Sequence, residues 1–141
     1  MKADTTTTLA VQSAIKQFTD AYRDRCLPSV MACIAPDADV VLYGTGAEEK
    51  RLGLNQIQAQ IERDWSQTES LAMSFTASYI SAAGPVAWVA ADGACHFRAE
   101  GRDFTWPLRV SFVFESRDRG WLIVHAHFST PATDQTEGRS I

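Results

Sequence analysis

The sequence predicts an α+β fold in which three helices come first and a curved antiparallel sheet follows. Apolar side chains recur at helical spacing near the N-terminus, at Val11, Ile15, Phe18 and Tyr22. The second half of the chain alternates with a period of two residues, and tight turns separate its apolar segments. This order predicts helices that cover one face of an antiparallel sheet.

Three helices are expected before the sheet. The first should span residues 7–24, since its apolar stripe extends over that length. Pro28 suits the first turn of a second, short helix, and Pro36 ends it. The third helix is marked by an apolar stripe at Leu54, Ile57, Ile61 and Trp65.

The strand segments are recognised by β-branched runs and by alternation. A short strand is expected at 40–43, followed by a break at Gly44 and a charged loop through Arg51. Long strands are expected after the third helix, at 71–79, 86–97, 104–115 and 121–130.

The size and composition fit one globular domain. The chain has 141 residues, 45% of them hydrophobic and 21% charged. We expect the domain at residues 7–131, with a disordered N-terminus at 1–6 and a disordered polar tail at 132–141.

Charge and hydropathy exclude several classes of function. The net charge is −4, and the Lys and Arg residues are scattered, so no nucleic-acid partner is expected. No apolar run approaches membrane-spanning length, and no signal peptide is visible, so we expect a cytoplasmic protein without a membrane partner. The three cysteines show no CxxC spacing and are interpreted as small buried side chains.

Strand pairing can be derived from the turns. If the turn at Glu100 centres its hairpin, Asp92 lies opposite Arg109; if the turn at Asp118 centres the next one, Arg109 lies opposite Phe128. This register predicts a pocket-side face made of Trp88, Ala90, Asp92, Arg109, Ser111, Val113, Val124, Ala126 and Phe128.

The opposite face of the predicted sheet is also apolar. Helices can cover only one of two apolar faces, so a second subunit is the simplest cover for the other. The sequence therefore predicts a homodimer through a sheet face that carries Val110, Phe112, Phe114, Trp121, Ile123, His125 and His127.

The last predicted strand also carries a resemblance. Its sequence at 120–131, GWLIVHAHFSTP, resembles the last strand of SnoaL-like domains and of the calcium/calmodulin-dependent kinase II association domain. Both belong to the nuclear-transport-factor-2-like superfamily, and the similarity extends over about residues 7–131. The resemblance implies a cystatin-like, ketosteroid isomerase-like cone with a pocket at its open end and a sheet-to-sheet dimer.

The chain departs from the ketosteroid isomerase pattern. The general-base position of that family falls on Tyr43, and its oxyanion-hole tyrosine falls near Phe18. Steroid isomerisation is therefore not expected.

Candidate site residues follow from the predicted pocket face. Asp92 is the best catalytic candidate, with Arg109 beside it as an anchor for a ligand oxygen; the alternative is a structural salt bridge. The other predicted ligand-binding residues, for which core packing is the alternative, are Tyr43, Trp65, Trp88, His96 and Phe128. His125 and His127 have a metal-compatible spacing, but no third ligand is placed near them, so neither a metal nor another cofactor is expected.

The function predicted from the sequence is a dimeric domain that binds a small organic molecule, its substrate unassigned. A cofactor-free isomerase, cyclase or hydratase activity fits this pocket. The alternative is an oligomerisation module without catalysis, similar to the kinase association domain. A third reading is a structural protein whose cavity has no function.

Overall fold

A computed structural model describes residues 1–141. Three helices precede most of the sheet, as predicted: α1 (Thr5–Arg23), α2 (Leu27–Ala32) and α3 (Gly53–Ser66). The strands are β1 (Val41–Tyr43), β2 (Lys50–Leu52), β3 (Ser70–Ala83), β4 (Val86–Ala99), β5 (Arg102–Arg117) and β6 (Gly120–Ser129).

The strands form one curved six-stranded sheet in the order β2-β1-β6-β5-β4-β3. Most neighbours are antiparallel, but β1 pairs parallel with β6, so the sheet is mixed rather than purely antiparallel. The helices pack against one face of the sheet and form the apolar core with it. The predicted α+β cone is thus confirmed, with this difference in strand direction.

The two main helices form where their apolar stripes meet the sheet. In α1 the Asp4 side chain accepts a hydrogen bond from the Thr7 backbone N–H at 2.7 Å and caps the first turn. The buried side of α1 carries Val11, Ile15 and Phe18, which repeat every three to four residues. This periodicity fixes which side of the helix faces the sheet.

The register of the hairpin between β4 and β5 is the predicted one. Asp92 is the Cα partner of Arg109, and Trp88 is the partner of Val113. The next hairpin differs, because a bulge between Val113 and Phe114 shifts the register by one residue. Arg109 therefore lies opposite Ser129 and not Phe128, so the predicted pairing was wrong beyond the bulge.

The predicted dimer interface falls mostly on the inner face of the sheet, which the helices cover, while its members His125 and His127 lie on the outer face. Val110, Phe112, Phe114 and Ile123 are at most 2% exposed, because α1, α2 and α3 cover them within one chain. A second subunit cannot contact these four side chains, so the dimer interface predicted to include them is wrong at these positions. The face that remains uncovered carries Asp92 and its neighbours.

A close backbone approach explains one glycine in β4. Gly93 lies opposite the irregularity between Phe75 and Ala77 in β3. A Cβ at Gly93 would lie 2.0 Å from the Ser74 carbonyl oxygen, which no side chain tolerates.

The segment after β1, where a charged loop was expected, contains the strand β2. The hairpin closes where the Gly44 N–H donates to the Glu49 carbonyl oxygen at 2.8 Å, and Leu42 pairs with Arg51. Strand β2 carries charged side chains at two of its three residues, and such a segment shows no apolar alternation.

Both termini bear on the predicted domain bounds. Helix α1 begins at Thr5, and the preceding residues pair with the edge of β3: the Ala3 N–H donates to the Ile80 carbonyl oxygen, and the Ala82 N–H donates to that of Met1. The N-terminus that we expected to be disordered therefore has backbone partners. Residues 130–141 form neither helix nor strand, and their disorder stays a prediction.

None of the helices combines the length and the apolarity needed to cross a membrane.

Candidate functional site

A cavity of about 310 Å³ lies between the helices and the inner face of the sheet. Its wall is mostly apolar and includes side chains from α1, α3 and five strands. The lining residues are Phe18, Tyr22, Ile34, Leu42, Gly44, Thr45, Glu49, Ile57, Gln60, Ile61, Asp64, Gln67, Thr68, Leu71, Met73, Cys95, Phe97, Trp106, Leu108 and Phe128. This size and composition are typical of a small-molecule site.

Polar side chains from both main helices meet in the wall of this cavity. The Tyr22 hydroxyl of α1 donates a hydrogen bond to Oδ2 of Asp64 on α3. The Gln60 amide nitrogen donates to Oδ1 of the same carboxyl at 2.7 Å. Both oxygens of the Asp64 carboxyl therefore have a donor, while the surrounding wall is largely apolar.

The surroundings of Asp64 change its acidity. Desolvation by burial raises the pKa of Asp64 above the ordinary value of 3.8, and the nearby Glu49 carboxylate adds to this. The hydrogen bonds from Tyr22 and Gln60 act in the opposite direction and do not cancel the effect of burial. Asp64 is therefore a stronger base than an exposed aspartate.

Tyr22 is held as a donor. Burial and the adjacent Asp64 carboxylate raise the pKa of Tyr22 well above its ordinary value of 10.0. Its ring is fixed by edge-on contacts with Trp65, whose indole N–H donates to the Tyr22 carbonyl oxygen at 3.1 Å. The hydroxyl is thus protonated and aimed at Asp64.

Glu49 brings a second carboxylate to the cavity from the end of the β1–β2 loop. Its Oε1 accepts hydrogen bonds from Arg63 at 2.9 Å and from Gln60 at 3.2 Å, and its Oε2 accepts one from the Gly46 N–H at 2.7 Å. The cavity wall contains no Lys, Arg or His side chain. A ligand in the cavity would therefore meet carboxylates and no cation.

Cys95 also lines the cavity. Burial raises the pKa of its thiol to about 11, with a further contribution from Asp64. The thiol thus stays protonated near neutral pH and is a poor nucleophile.

The structure brings two of the sequence-predicted residues to this region. Phe128 lines the cavity, because the bulge in β6 turns it inward. Trp65 packs behind Tyr22 and does not belong to the cavity wall.

The other five predicted residues lie on the outer face of the sheet, away from the cavity. Asp92, Arg109 and His96 are exposed, Trp88 is half-buried, and Tyr43 is 36% exposed. Asp92 and Arg109 are Cα partners, but their side chains form none of the ion pairs in the structure. Their predicted placement in the pocket is corrected, because the inner face carries the odd-numbered residues of β4 and the even-numbered ones of β5.

The strand histidines occupy the outer face as well. The Nδ1–H of His125 donates to the Val41 carbonyl oxygen at 2.7 Å, and the His127 ring lies 5.0 Å from that of Tyr43. No group of three His, Cys, Asp or Glu side chains in the structure is arranged to hold a metal ion.

Sequence reasoning missed the polar centre of the cavity, although a signal for it exists. The apolar stripe of α3 continues through Gln60 and Asp64, which alternate with Ile57 and Ile61 at positions that face the core. A polar side chain on a buried stripe needs a partner, and Tyr22 occupies such a position on α1. When two facing helices each carry a polar residue within an apolar stripe, the pattern predicts that these polar side chains share one site.

The fold is similar to that of several solved proteins. A nuclear transport factor 2-like superfamily protein from Salmonella enterica serovar Typhimurium matches with a TM-score of 0.85 and 17% identity, covering 97% of this chain and 99% of that one. A candidate dehydratase from the NTF2-like family of Streptomyces avermitilis matches with a TM-score of 0.83 and 18% identity, covering 91% of this chain and 98% of that one. A candidate calcium/calmodulin-dependent kinase II association domain from Xanthomonas campestris matches with a TM-score of 0.77 and 22% identity, covering 87% of this chain and 86% of that one. At these identities the likeness shows the fold alone.

The sequence itself identifies the family. No curated protein matches it. A family model described as SnoaL-like domain matches residues 11–133, which is most of the chain. The chain therefore belongs to the SnoaL-like domain family, as its last strand and its cone-shaped fold had indicated.

Proposed function

We propose that this protein binds a small neutral organic molecule in the cavity and catalyses proton transfer on it, with Asp64 as the general base. The observation that carries the proposal is the Asp64 carboxyl in an apolar wall, hydrogen-bonded by Tyr22. Burial raises the pKa of Asp64, which brings its basicity closer to what proton abstraction at neutral pH requires.

The proposed chemistry needs no group beyond these side chains. Asp64 takes a proton from a carbon next to a substrate carbonyl; the electron pair of the broken C–H bond forms a C=C bond to the carbonyl carbon, and the C=O π pair moves to oxygen, which gives an enolate. Returning the proton to another carbon of a conjugated enolate re-forms the carbonyl and isomerises the substrate. When the carbon beyond the α-carbon carries a hydroxyl, re-forming the carbonyl expels that hydroxyl, which takes the proton from Asp64 and leaves as water. Dehydration is the favoured outcome, since a structurally similar protein is described as a candidate dehydratase.

The charge of the cavity selects the ligand. Glu49 and Asp64 face it, and no cationic side chain lines it. The single O–H of Tyr22 is already donated to Asp64. A carboxylate ligand would be repelled, while a neutral alcohol can donate to a carboxylate oxygen and a neutral ketone carries no charge to be repelled. This replaces the anchor for an anionic oxygen that the sequence suggested at Arg109.

Deuterium exchange tests the proposal without knowledge of the substrate. A neutral bicyclic ketone, 2-tetralone, is incubated with the protein in heavy water, and loss of its α-proton signal is followed by NMR. We expect catalysed exchange that falls about 100-fold or more in Asp64→Asn, the range of general-base effects, and that persists in the outer-face control Asp92→Asn. Equal exchange by Asp64→Asn and the wild type, or none by either, would contradict the proposal.

A second proposal concerns the outer face of the sheet. We infer that a second copy of this chain covers it, in place of the inner-face dimer expected from the sequence. Along β4 the outer face presents the half-buried Trp88, the exposed Ala90 and the exposed Asp92, and Asp92 lies opposite the exposed Arg109. A two-fold axis between these strands would place Asp92 of one copy near Arg109 of the other.

Charge reversal tests this interface. Arg109→Asp would place like charges across the axis and should yield monomers in sedimentation, whereas the swap Asp92→Arg/Arg109→Asp should restore the dimer. Arg119→Asp in the β5–β6 turn is the control with the same change in net charge. A dimer that survives Arg109→Asp, or a wild type that is monomeric, would refute the proposal. Assemblies larger than a dimer would favour the oligomerisation module. The cytoplasmic location stays a prediction.

A further inference from the structure

Gln60 is the polar side chain most deeply buried in the protein, with 6% exposure. Its amide nitrogen donates to two carboxylates, at 2.7 Å to Asp64 and at 3.2 Å to Glu49. Both N–H groups of the amide are thereby used, and each lies against an acceptor from a different element.

The other end of the amide is fixed by an arginine. Arg51 on β2 donates from Nε to the Gln60 Oε1 at 3.0 Å. A rotated amide would turn its oxygen toward the two carboxylates and its N–H groups toward the guanidinium, so acceptors would face acceptors and donors would face donors. The guanidinium is itself held, since it donates to the Glu48 carbonyl oxygen and carboxylate at 3.0 Å each.

We propose that Gln60 and Arg51 are positioning residues for Asp64: Arg51 fixes the orientation of the Gln60 amide, and that amide holds the Asp64 carboxyl in place and joins it to Glu49 of the β1–β2 loop. The inference rests on the proposed function, because it assigns these two residues a role in the chemistry of the same carboxyl. Neither residue needs to touch a substrate to act in this way.

The arrangement links a surface hairpin to the cavity. Arg51 lies in a strand that the sequence analysis assigned to a loop, and its contact with Gln60 spans nine positions of the chain. Through two hydrogen bonds the hairpin sets how firmly the carboxyl is held. A group held within a narrow range of positions transfers protons faster than one that samples several.

Several other groups face Asp64 and contribute to its titration. Tyr22 donates to it from α1, the Cys95 thiol lies near it from β4, and Glu49 and Arg63 act on it from the loop and from its own helix. These groups are unchanged in all the variants below, so differences between variants report on Gln60 and Arg51.

Helix α3 offers a matched control. Gln58 donates to Glu62 at 3.0 Å with the same four-residue spacing as the pair of Gln60 and Asp64. Glu62 is exposed and Gln58 is half-buried, and neither belongs to the cavity wall. Gln58→Leu therefore removes an equivalent contact without touching the site.

The test follows the Asp64 carboxyl by ¹³C NMR over a pH range, with its signal identified by its loss in Asp64→Asn. Gln60→Leu removes a donor to the carboxylate, so its titration midpoint should move upward. Arg51→Lys keeps the charge but loses the Nε donor, so the midpoint should move in the same direction by less. Gln58→Leu should leave the midpoint unchanged.

The same variants are assayed for α-proton exchange of 2-tetralone and for melting temperature. We expect exchange to fall about tenfold in Gln60→Leu, with a smaller fall in Arg51→Lys and none in Gln58→Leu. Midpoints in Gln60→Leu and Arg51→Lys that match the wild type would overturn the inference, as would a midpoint shift of equal size in Gln58→Leu. If Gln60→Leu does not fold, the titration midpoint of Asp64 in Arg51→Lys, a variant in the β1–β2 hairpin, tests the inference alone.

Failure of this inference can be distinguished from failure of the proposed function. Shifted midpoints together with exchange that survives Asp64→Asn would support the positioning role and refute the catalytic one. Unshifted midpoints with exchange lost only in Asp64→Asn would do the reverse.

Discussion

On the inner face of β4 and β5, Val89, Val110 and Phe112 are at most 2% exposed, whereas their immediate neighbours Ala90 and Ser111 on the outer face are exposed. The two faces belong to the same strands and differ by one position in sequence. Helices cover the inner face, and solvent reaches the outer one in a single chain.

The same contrast separates two groups of ionisable side chains. Asp64 lies among apolar side chains against the inner face, and burial raises its pKa. Asp92, which the sequence suggested as the catalytic group, is exposed on the outer face. Burial among apolar side chains is the largest cause of the raised pKa of Asp64, so the unusual chemistry of this carboxyl comes from its side of the sheet.

The largest expected effect is on the inner face. Phe112→Ala should lower the free energy of unfolding by ~3–5 kcal/mol, because it leaves a cavity among packed aromatic rings. Ser111→Ala, one residue away, should change it by no more than about 0.5 kcal/mol. Urea denaturation measures both, and similar losses in the two variants would contradict the assignment of the faces.

A smaller loss is expected where β3 approaches β4. Gly93→Ala should reduce the free energy of unfolding by about 1–3 kcal/mol, since the new Cβ would meet the Ser74 carbonyl oxygen and force the strands apart. Ala90→Ser on the outer face serves as the control. Stability equal to that of the wild type in thermal melts would show that the two backbones can separate freely.

The dependence of stability on pH should report the burial of the Asp64 carboxyl. The pKa of Asp64 in the folded protein is raised above 3.8, so the folded state binds its proton more tightly than the unfolded state. Stability from this group therefore falls as pH rises from about 3.8 through the raised value. Asp64→Asn removes that loss, so its stability relative to the wild type should improve as pH increases through this range.

Urea denaturation at several pH values measures the difference. Asp92→Asn, the same change at an exposed aspartate, is the control. An Asp64→Asn curve that runs parallel to the wild type would show that the carboxyl is not desolvated.

The smallest effect is expected on the outer face. Tyr79 is 66% exposed, so Tyr79→Ser should change the free energy of unfolding by no more than about 0.5 kcal/mol when the protein is dilute. If a second copy covers this face, the loss should grow with protein concentration. A large loss in dilute protein would mean that the side chain packs within a single chain.

The helices and the long hairpins could be predicted from the sequence because both depend on local patterns. The pairing of Asp92 with Arg109 followed from one turn between two regular strands. The same arithmetic holds next to the last turn, where Arg117 pairs with Gly120, and fails beyond the bulge. Phe128 was assigned to the pocket from a pairing with Arg109, whereas the structure pairs it with Val110 because of the extra residue in β6. Turn positions alone do not reveal that extra residue.

The catalytic candidates depended on contacts between distant segments. Tyr22 and Asp64 are 42 residues apart and meet because α1 and α3 pack on the same face. Glu49 and Arg51 reach Gln60 only because a charged segment forms β2. The polar interruptions in the helical stripes were visible, but their partners are set by packing.

The pairing of the first residues with β3 has a consequence for aggregation. β3 is the last strand in the sheet order, and Met1 and Ala3 take up backbone groups at Ile80 and Ala82 that would otherwise be free. Free groups on an edge strand are a template for another chain. Removing residues 1–3 should therefore leave the cavity intact and make the protein prone to edge-to-edge assembly into fibrils.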